Sequence, residues 1–554
     1  MGVASVFLVI DSDTMKAPLG YLALVLHAHL PFVRHPDHAD FLEEDWFFEG
    51  VVETYAPLLR RLENLKSEGV PFRLTMTITP PLATMLDDDL LRQRLHHYID
   101  ARLDLLEKEE ANNRGGHIGY LARYYLDELS AVKDFVFYRH GGRLLNSLRG
   151  LQESGPLEII TCTATHGFLP LMERRSAIQS QIATAARSHQ HFFGRHPKGI
   201  WLAECGYDER VDELLADAGI NYFFVDSHGV LFGDPQPVYG VYAPVVTKWG
   251  VNVFGRDPES SKQVWSQREG YPGDSAYREF YRDLGYESDY DYIKPYLHSD
   301  GVRRGVGIKY YRITGSGDLG SKQLYDPEQA RQKAAEHAGN FLFNRQAQVR
   351  FLSGKTESPP IIVSPYDAEL FGHWWYEGPQ FLEYLIRKMA FDQDEIALIT
   401  CSEYLDKYPV RQLQQPNPST WGSEGHNLVW LNGGNAWLYR HPHWAEGKME
   451  EIAMHFSTAE GDLKRALNQM LRELLLLQSS DWAFILTTGT TVSYATKRFR
   501  EHLDRFRQLA SQIEGDRLDM GFVAWAEKQS PIFPTIDFRD AIPHPTNEEL
   551  LIAS

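Results

Sequence analysis

Residues 361–375 read IIVSPYDAELFGHWW, and the reading of this stretch decides the fold. Ile361, Ile362 and Val363 are β-branched and apolar, which predicts a buried strand that Ser364-Pro365 breaks. Two carboxylates, Asp367 and Glu369, then arrive with His373, Trp374 and Trp375. Such groups are costly to bury without partners, so they are poor choices for an idle loop. A strand end that turns polar and aromatic is where barrel enzymes place their chemistry.

The same rhythm recurs along the chain. Strands are predicted at 22–26 before HAHLPF, 72–78 before TPPL, 157–160 before TCTATHGFLP and 198–202 before AECGY. Further strands are predicted at 222–225 and at 396–400, the latter before CSEYLDKYP. Amphipathic stretches separate them, as at 52–66 and again through about residue 110. Strand, polar strand end, helix, strand is the order of a parallel α/β barrel. Residues 229–320 depart from it, being rich in Gly, Pro, Tyr and charge, and predict insertions over the barrel mouth. From about 415 strand signals fade, and 458–482 and 494–515 are strongly helical. The expected division is an N-terminal extension at 1–20, a catalytic barrel at 21–410 with insertions near 80–150 and 229–320, and an all-helical C-terminal domain at 411–554. SSDW at 479–482 is expected to close one helix and pack on the next, and the apolar run at 6–10 to be an extra strand or none.

Composition narrows the partners. With 554 residues the chain exceeds one ordinary domain, and its 43% hydrophobic content is enough to build large cores. The net charge of −19 argues against nucleic acid or an anionic membrane as partner and is compatible with a neutral ligand. Cys162, Cys205 and Cys401 are too far apart for a disulfide framework or a zinc knuckle. No run reaches the roughly 18 apolar residues of a membrane span, and MGVASVFLVIDSDTMKAP lacks a basic leader region. The expectation is a cytoplasmic monomer. The 12 Trp, 28 Tyr and 29 Phe are mostly core filler, yet several lie among Gly, Asn and charge, in GHWWYEGP, STWGSEGHNLVWLNGGNAWLYR and VWSQREGYPG. Rings interleaved with polar groups suit a sugar: the ring covers the C–H face and the polar groups bond the hydroxyls.

Three clusters carry chemistry. In HAHLPF, His27 and His29 stand two apart on a strand and face the same way. They are a metal-ligand pair, hydrogen-bonded structural groups, or binders of substrate hydroxyls, and no carboxylate triad accompanies them to favour the metal. In GIWLAECGY, Glu204 closes an apolar strand beside small residues, a position open to substrate, whereas a plain ion-pair glutamate needs no such setting. Cys205 has no activating histidine adjoining it in sequence and reads as buried and inert. Asp367 either caps the following helix or works with Glu204. Two acids at two strand ends of an aromatic-rich barrel suggest glycosidic chemistry by a carboxylate pair.

HAHLPF, PLEIITCTATHGFLP, WLAECGY, SPYDAELFGHWW and CSEYLDKYP, in that order and spacing, resemble the five motif regions of glycoside hydrolase family 57, especially its 1,4-α-glucan branching enzymes. The likeness covers nearly the whole chain. It implies an incomplete (β/α)7 barrel with an inserted helical segment and a helical C-terminal domain. It implies retaining chemistry on α-glucans such as amylose, glycogen or starch, with Glu204 as nucleophile, Asp367 as general acid/base, and no metal or cofactor. His27, His29, His166 and His373 would bind the sugar at the cleavage subsite, and Trp46, Trp265, Trp374, Trp421 and Trp430 would be platforms. Tyr239, in GDPQPVYGVYAP, would be the loop tyrosine that favours transfer over hydrolysis. Two features depart from the pattern: 242–254 is short for a shielding loop, and Ala203 stands where proline is expected. An α-amylase or 4-α-glucanotransferase on the same scaffold is the nearest alternative. A metal-dependent deacetylase or mannosidase built on His27 and His29 is a more distant one.

Overall fold

The structure is a computed structural model describing residues 17–266, 270–315 and 318–544, so the apolar run at 6–10 lies outside the described residues. The strands are β1 (Gly20–Ala28), β2 (Leu74–Ile78), β3 (Leu157–Cys162), β4 (Gly199–Trp201), β5 (Tyr222–Val225), β6 (Val245–Val246), β7 (Asn252–Gly255), β8 (Ile361–Asp367), β9 (Ile396–Leu398) and β10 (Gln412–Leu413). Seven of them run parallel in the order β7-β5-β4-β3-β2-β1-β8. β9 pairs with β1, β6 turns antiparallel onto β7, and β10 extends β6. The first and last of the seven are not laddered together. A backbone bond from Asp257 to the Val363 carbonyl (2.9 Å) and a Ser364–Ser260 hydroxyl bond (2.7 Å) join their ends. This curled sheet is the incomplete seven-stranded barrel that the family resemblance implies, and helices flank it.

β1, GYLALVLHA, is buried along its whole length because parallel strands are covered on both faces, so it reads as a continuous apolar run. Its leucines are 0–1% exposed. Truncating Leu24 to alanine would cost about 2–5 kcal/mol. The register sets His27 beside Thr77 of β2 and beside Asp367 of β8, so the carboxyl ends of three strands form one rim.

Four expectations are corrected. The strand at 361 does not stop at Ser364-Pro365 but continues to Asp367, with Pro365 opposite Val25. β8 ladders only with β1, so the missing N–H of Pro365 leaves no second neighbour unpaired. The segment 229–320 is not all insertion, because β6 and β7 lie inside it and β7 is the seventh barrel strand; four residues, NVFG, are too short a run to stand out among Gly, Pro and Tyr. The helix expected at 52–66 is α-helical only over Ala56–Ser67 and is preceded by a π-helical segment, Gly50–Tyr55. Such widened turns recur at functional sites. SSDW does not close a helix. Ser479 caps the start of a new one, Ser480–Thr488, its hydroxyl accepting from the Asp481 N–H.

Beyond residue 440 come the helices Arg440–His455, Gly461–Leu477, Ser480–Thr488, Val492–Glu514 and Met520–Gln529. They dock on the loop after β3. The Ser480 N–H donates to the His166 carbonyl (3.0 Å), and the Thr165 hydroxyl bonds the Leu475 carbonyl. That seam carries Ser480 and Asp481 to the barrel mouth. Among the described residues no helix is long and apolar enough to cross a membrane.

Candidate active site

The strand ends open into a cleft of about 840 Å³. His27, His29, His166, Glu204, Asp367, His373 and the tryptophans 46, 265, 374, 421 and 430 all line it. His27 and Trp430, 403 positions apart in sequence, therefore meet in one chamber large enough for several sugar units.

Glu204 sits in a tight turn after β4 with φ 63° and ψ 21°, a left-handed conformation unusual for a residue with a side chain. Cys205 (φ 51°) and His166 (φ 56°) share it. Non-glycine residues held this way cost about 1–3 kcal/mol each and cluster at working sites. The strain turns the Glu204 carboxyl toward two donors: the Trp421 indole N–H at 2.9 Å and the Ser480 hydroxyl at 3.1 Å. Burial raises its affinity for a proton, and the two donors oppose that rise.

The donors form a chain whose proton positions follow from the hydrogen-bond network. Ser480 gives its only proton to Glu204, so it must accept from His166 Nδ1, 2.8 Å away. His166 Nε2 is then a lone pair and accepts from His27 Nε2 at 3.0 Å. His27 Nδ1 becomes the acceptor end, and among the described residues it has no partner. Burial, together with the other imidazoles, pushes both rings well below the usual histidine range, so both are neutral. His29 stacks on His166 at 3.8 Å and points Nε2 at Asp481, 3.1 Å away, with Nδ1 3.1 Å from the Thr79 hydroxyl. Burial would raise Asp481, but His29 holds it below the usual carboxylate range.

Asp367 ends β8 and caps no helix with its side chain. Burial raises it well above the ordinary range, the charges of Glu369 and Glu204 raise it further, and Arg256 opposes them. It therefore holds a proton where Glu204, with two donors, is the easier to ionise. Glu369 ties the two strand ends together, accepting from the His29 backbone N–H (3.1 Å) and from the Tyr55 hydroxyl.

His373 donates to Glu53 at 2.6 Å, and Arg278 lies 3.3 Å from the same carboxylate. Burial would raise Glu53, but His373, Arg278 and Lys309 hold it at about 2. Glu49, one helical turn earlier, is raised to about 7 by burial and by the Glu53 charge. Gly372 makes the approach possible: its φ is +126°, and a Cβ there would lie 1.9 Å from the Glu53 carbonyl oxygen.

The tryptophans differ in availability. Trp265 and Trp374 are half exposed; Trp265 faces Trp421 with ring centroids 6.4 Å apart, and Trp374 stacks on Phe280 at 4.6 Å. Trp46 is partly buried, edge-on to Tyr494. Trp430 is 1% exposed and stacks on Phe168 at 4.7 Å, so it is wall more than platform. Tyr239 does not line the cleft. It lies in a turn where its carbonyl accepts from the Tyr242 N–H. Cys205 is buried and its thiol is pushed far up by burial, as an inert cysteine requires. Among the described residues two sets of side chains have donor atoms close enough for a metal ion, His27/Cys162/His166 and His29/His166/Asp481. Both nitrogens of His166 and of His29 and the Nε2 of His27 are already engaged, with one another, with Ser480, with Thr79 or with Asp481, and His27 Nδ1 alone of these imidazole atoms is unpartnered among the described residues.

The family model of glycosyl hydrolase family 57 matches residues 23–416, and a 1,4-alpha-glucan branching enzyme C-terminal model matches 441–540. The chain belongs to glycosyl hydrolase family 57. Within that family it is 34% identical, over 523 residues covering 89% of this chain and 74% of the other, to a 1,4-alpha-glucan branching enzyme of Thermococcus kodakarensis. Its fold is similar to the crystal structure of the alpha-amylase AmyC from Thermotoga maritima, with a TM-score of 0.89, 41% identity and coverage of 95% and 100% of the two chains. A branching enzyme of this family from Pyrococcus horikoshii gives 0.85, 32%, and 95% and 97%.

Sequence reading missed Glu49, Glu53, Tyr55, Arg256, Ser480 and Asp481, all of which line the cleft or touch a residue that does. One signal was available. Asp481 is the only acid in SDWAFILTT, and a lone carboxylate in an apolar helix needs a partner.

Proposed function

We propose that this chain is a 1,4-α-glucan branching enzyme in which Glu204 is the nucleophile and Asp367 the general acid/base. The carrying observation is the pairing of a carboxylate held by two donors with a second carboxyl that its surroundings keep protonated, at the floor of an aromatic cleft. Environments that separate two carboxyls in this way assign their roles. Asp367 protonates the glycosidic oxygen as Glu204 attacks the anomeric carbon; the C–O bond breaks, the leaving chain departs as an alcohol, and a glycosyl ester forms. Asp367, now ionised, takes the proton from an acceptor 6-hydroxyl, whose oxygen displaces Glu204. The configuration inverts twice and is retained, and an α-1,6 branch results. His27, His29, His166 and His373 supply hydroxyl partners at the cleavage point, and Trp265, Trp374 and Trp421 cover the sugar faces.

Hydrolysis by the same pair is the second reading. The similarity to an α-amylase and the place of Tyr239 outside the cleft lining favour it. Only the acceptor differs, so water exclusion decides the outcome. Amylose incubated with wild type and Glu204→Ala, with proton NMR for α-1,6 signals and a parallel reducing-end assay, separates them. New branches exceeding new reducing ends, lost in the variant, are expected. Reducing ends without branches would establish an amylase, and neither product in wild type would refute both.

A further inference from the structure

A second groove opens beside the catalytic cleft, on the face shared by the 34–41 loop and the helices Val492–Glu514 and Met520–Gln529. It encloses about 330 Å³, enough for one or two hexose units. Trp525, 41% exposed, forms an aromatic wall with Phe522, their ring centroids 5.5 Å apart and their planes inclined by 33°. Polar groups surround the rings. Arg498, 4% exposed, lines the groove; it uses one nitrogen on Glu501 (3.1 Å), while its Nε and Nη2 have no partner among the described residues. Buried donors of this kind call for acceptors from a ligand or from water.

The charge in the groove is mixed. Arg498, Arg505 and Lys497 are answered by Glu501, Asp504 and Asp37 add two further acids, and Arg34, the fourth cation of the lining, is paired with Asp88 at 2.7 Å. A site for an anion would not carry that many carboxylates. Rings flanked by both donors and carboxylate acceptors match a neutral polyhydroxyl ligand, whose hydroxyls give and accept in equal measure. The groove lies one ring contact away from the cleft. Tyr494 lines it and sits edge-on, 5.7 Å away, against Trp46 of the catalytic cleft.

We propose that this groove is a second α-glucan-binding site, separated from the cleft by the packed rings of Trp46 and Tyr494. The ligand class rests on the function proposed above; the site rests on the groove itself. Calorimetric titration of maltoheptaose into the Glu204→Gln variant tests it. Two binding events are expected. Adding Trp525→Ala weakens one at least tenfold and keeps the other. Adding Asp504→Ala, at a position 73% exposed and remote from the fold's core, weakens the same event. A single event indifferent to both substitutions overturns the groove, whereas the branching proposal stands if wild type still forms α-1,6 branches on amylose. No binding event, with a wild type inert toward amylose, overturns both.

Discussion

Trp421 holds Glu204 twice: its indole N–H donates to the carboxylate at 2.9 Å and its backbone N–H to the Glu204 carbonyl at 3.0 Å. One residue thus supports both the strained backbone and the reactive group of the proposed nucleophile. The side-chain bond lowers the Glu204 proton affinity against the burial that raises it. Trp421→Phe keeps an aromatic side chain and removes that donor together with the five-membered half of the indole. Hydrogen bonds to charged groups contribute about 1.5–3 kcal/mol, so Glu204 should titrate roughly one to two pH units higher. The acidic limb of kcat/KM for amylose is expected to move up accordingly. An unmoved limb would separate Trp421 from the ionisation of Glu204.

Glu369 acts on the opposite limb. Its negative charge is among the causes that raise Asp367, after burial. Glu369→Gln removes that charge, so Asp367 gives up its proton at lower pH. The basic limb of the profile should shift acidward, because the general acid is lost sooner, with kcat on the plateau falling less than the limb moves. A shift toward alkali would refute the assignment of Asp367 as the acid.

Asp481 is tied to His29 at 3.1 Å, and His29 stacks on the ring that orients Ser480. Asp481→Asn keeps the shape and removes the charge. A fall in kcat of about 10²–10³-fold is expected, with the circular dichroism spectrum unchanged. A variant as active as wild type would show Asp481 to be only the opening residue of its helix.

His189, 3% exposed in the helix Arg175–Phe193, is held at about 3 by burial, far below its unfolded value near 6.5. Between those limits the unfolded chain binds a proton that the folded chain refuses. Stability from this residue is therefore whole above pH 6.5 and declines as pH falls toward 3. From pH 6.5 to 4.5 the loss is about 3 kcal/mol at most. His189→Phe should flatten the acid side of a Tm–pH curve, its deficit against wild type shrinking as pH falls. Parallel curves would refute the shift.

The elements and residues legible in the sequence are those whose signal is local. A buried parallel strand must be a run of apolar residues, so β1, β3, β4, β5 and β8 stand out, and the acid or histidine at or just after the ends of β1, β4 and β8 marks the barrel rim. Glu204, Asp367, His27 and His29 were found this way, and the structure places all four in one cleft. β7 was missed because four residues inside a Gly- and Tyr-rich stretch carry no periodicity, though their pairing with β5 adds the seventh strand of the barrel.

What tertiary structure alone decided is the company those residues keep. Ser480 reaches Glu204 across 276 positions, and Asp481 reaches His29 across 452, because the helices beyond residue 440 dock on the loop after β3. Nothing within either short segment announces the other. The same holds for Glu53, which a π-helical turn and a side-chain-free position at Gly372 bring to His373, and for Tyr239, whose turn lies outside the cleft lining. Strand and helix follow from the spacing of apolar residues along a few turns of chain. Proton affinities follow from burial and from neighbours in space, and those exist only once the barrel and the helices have closed on each other.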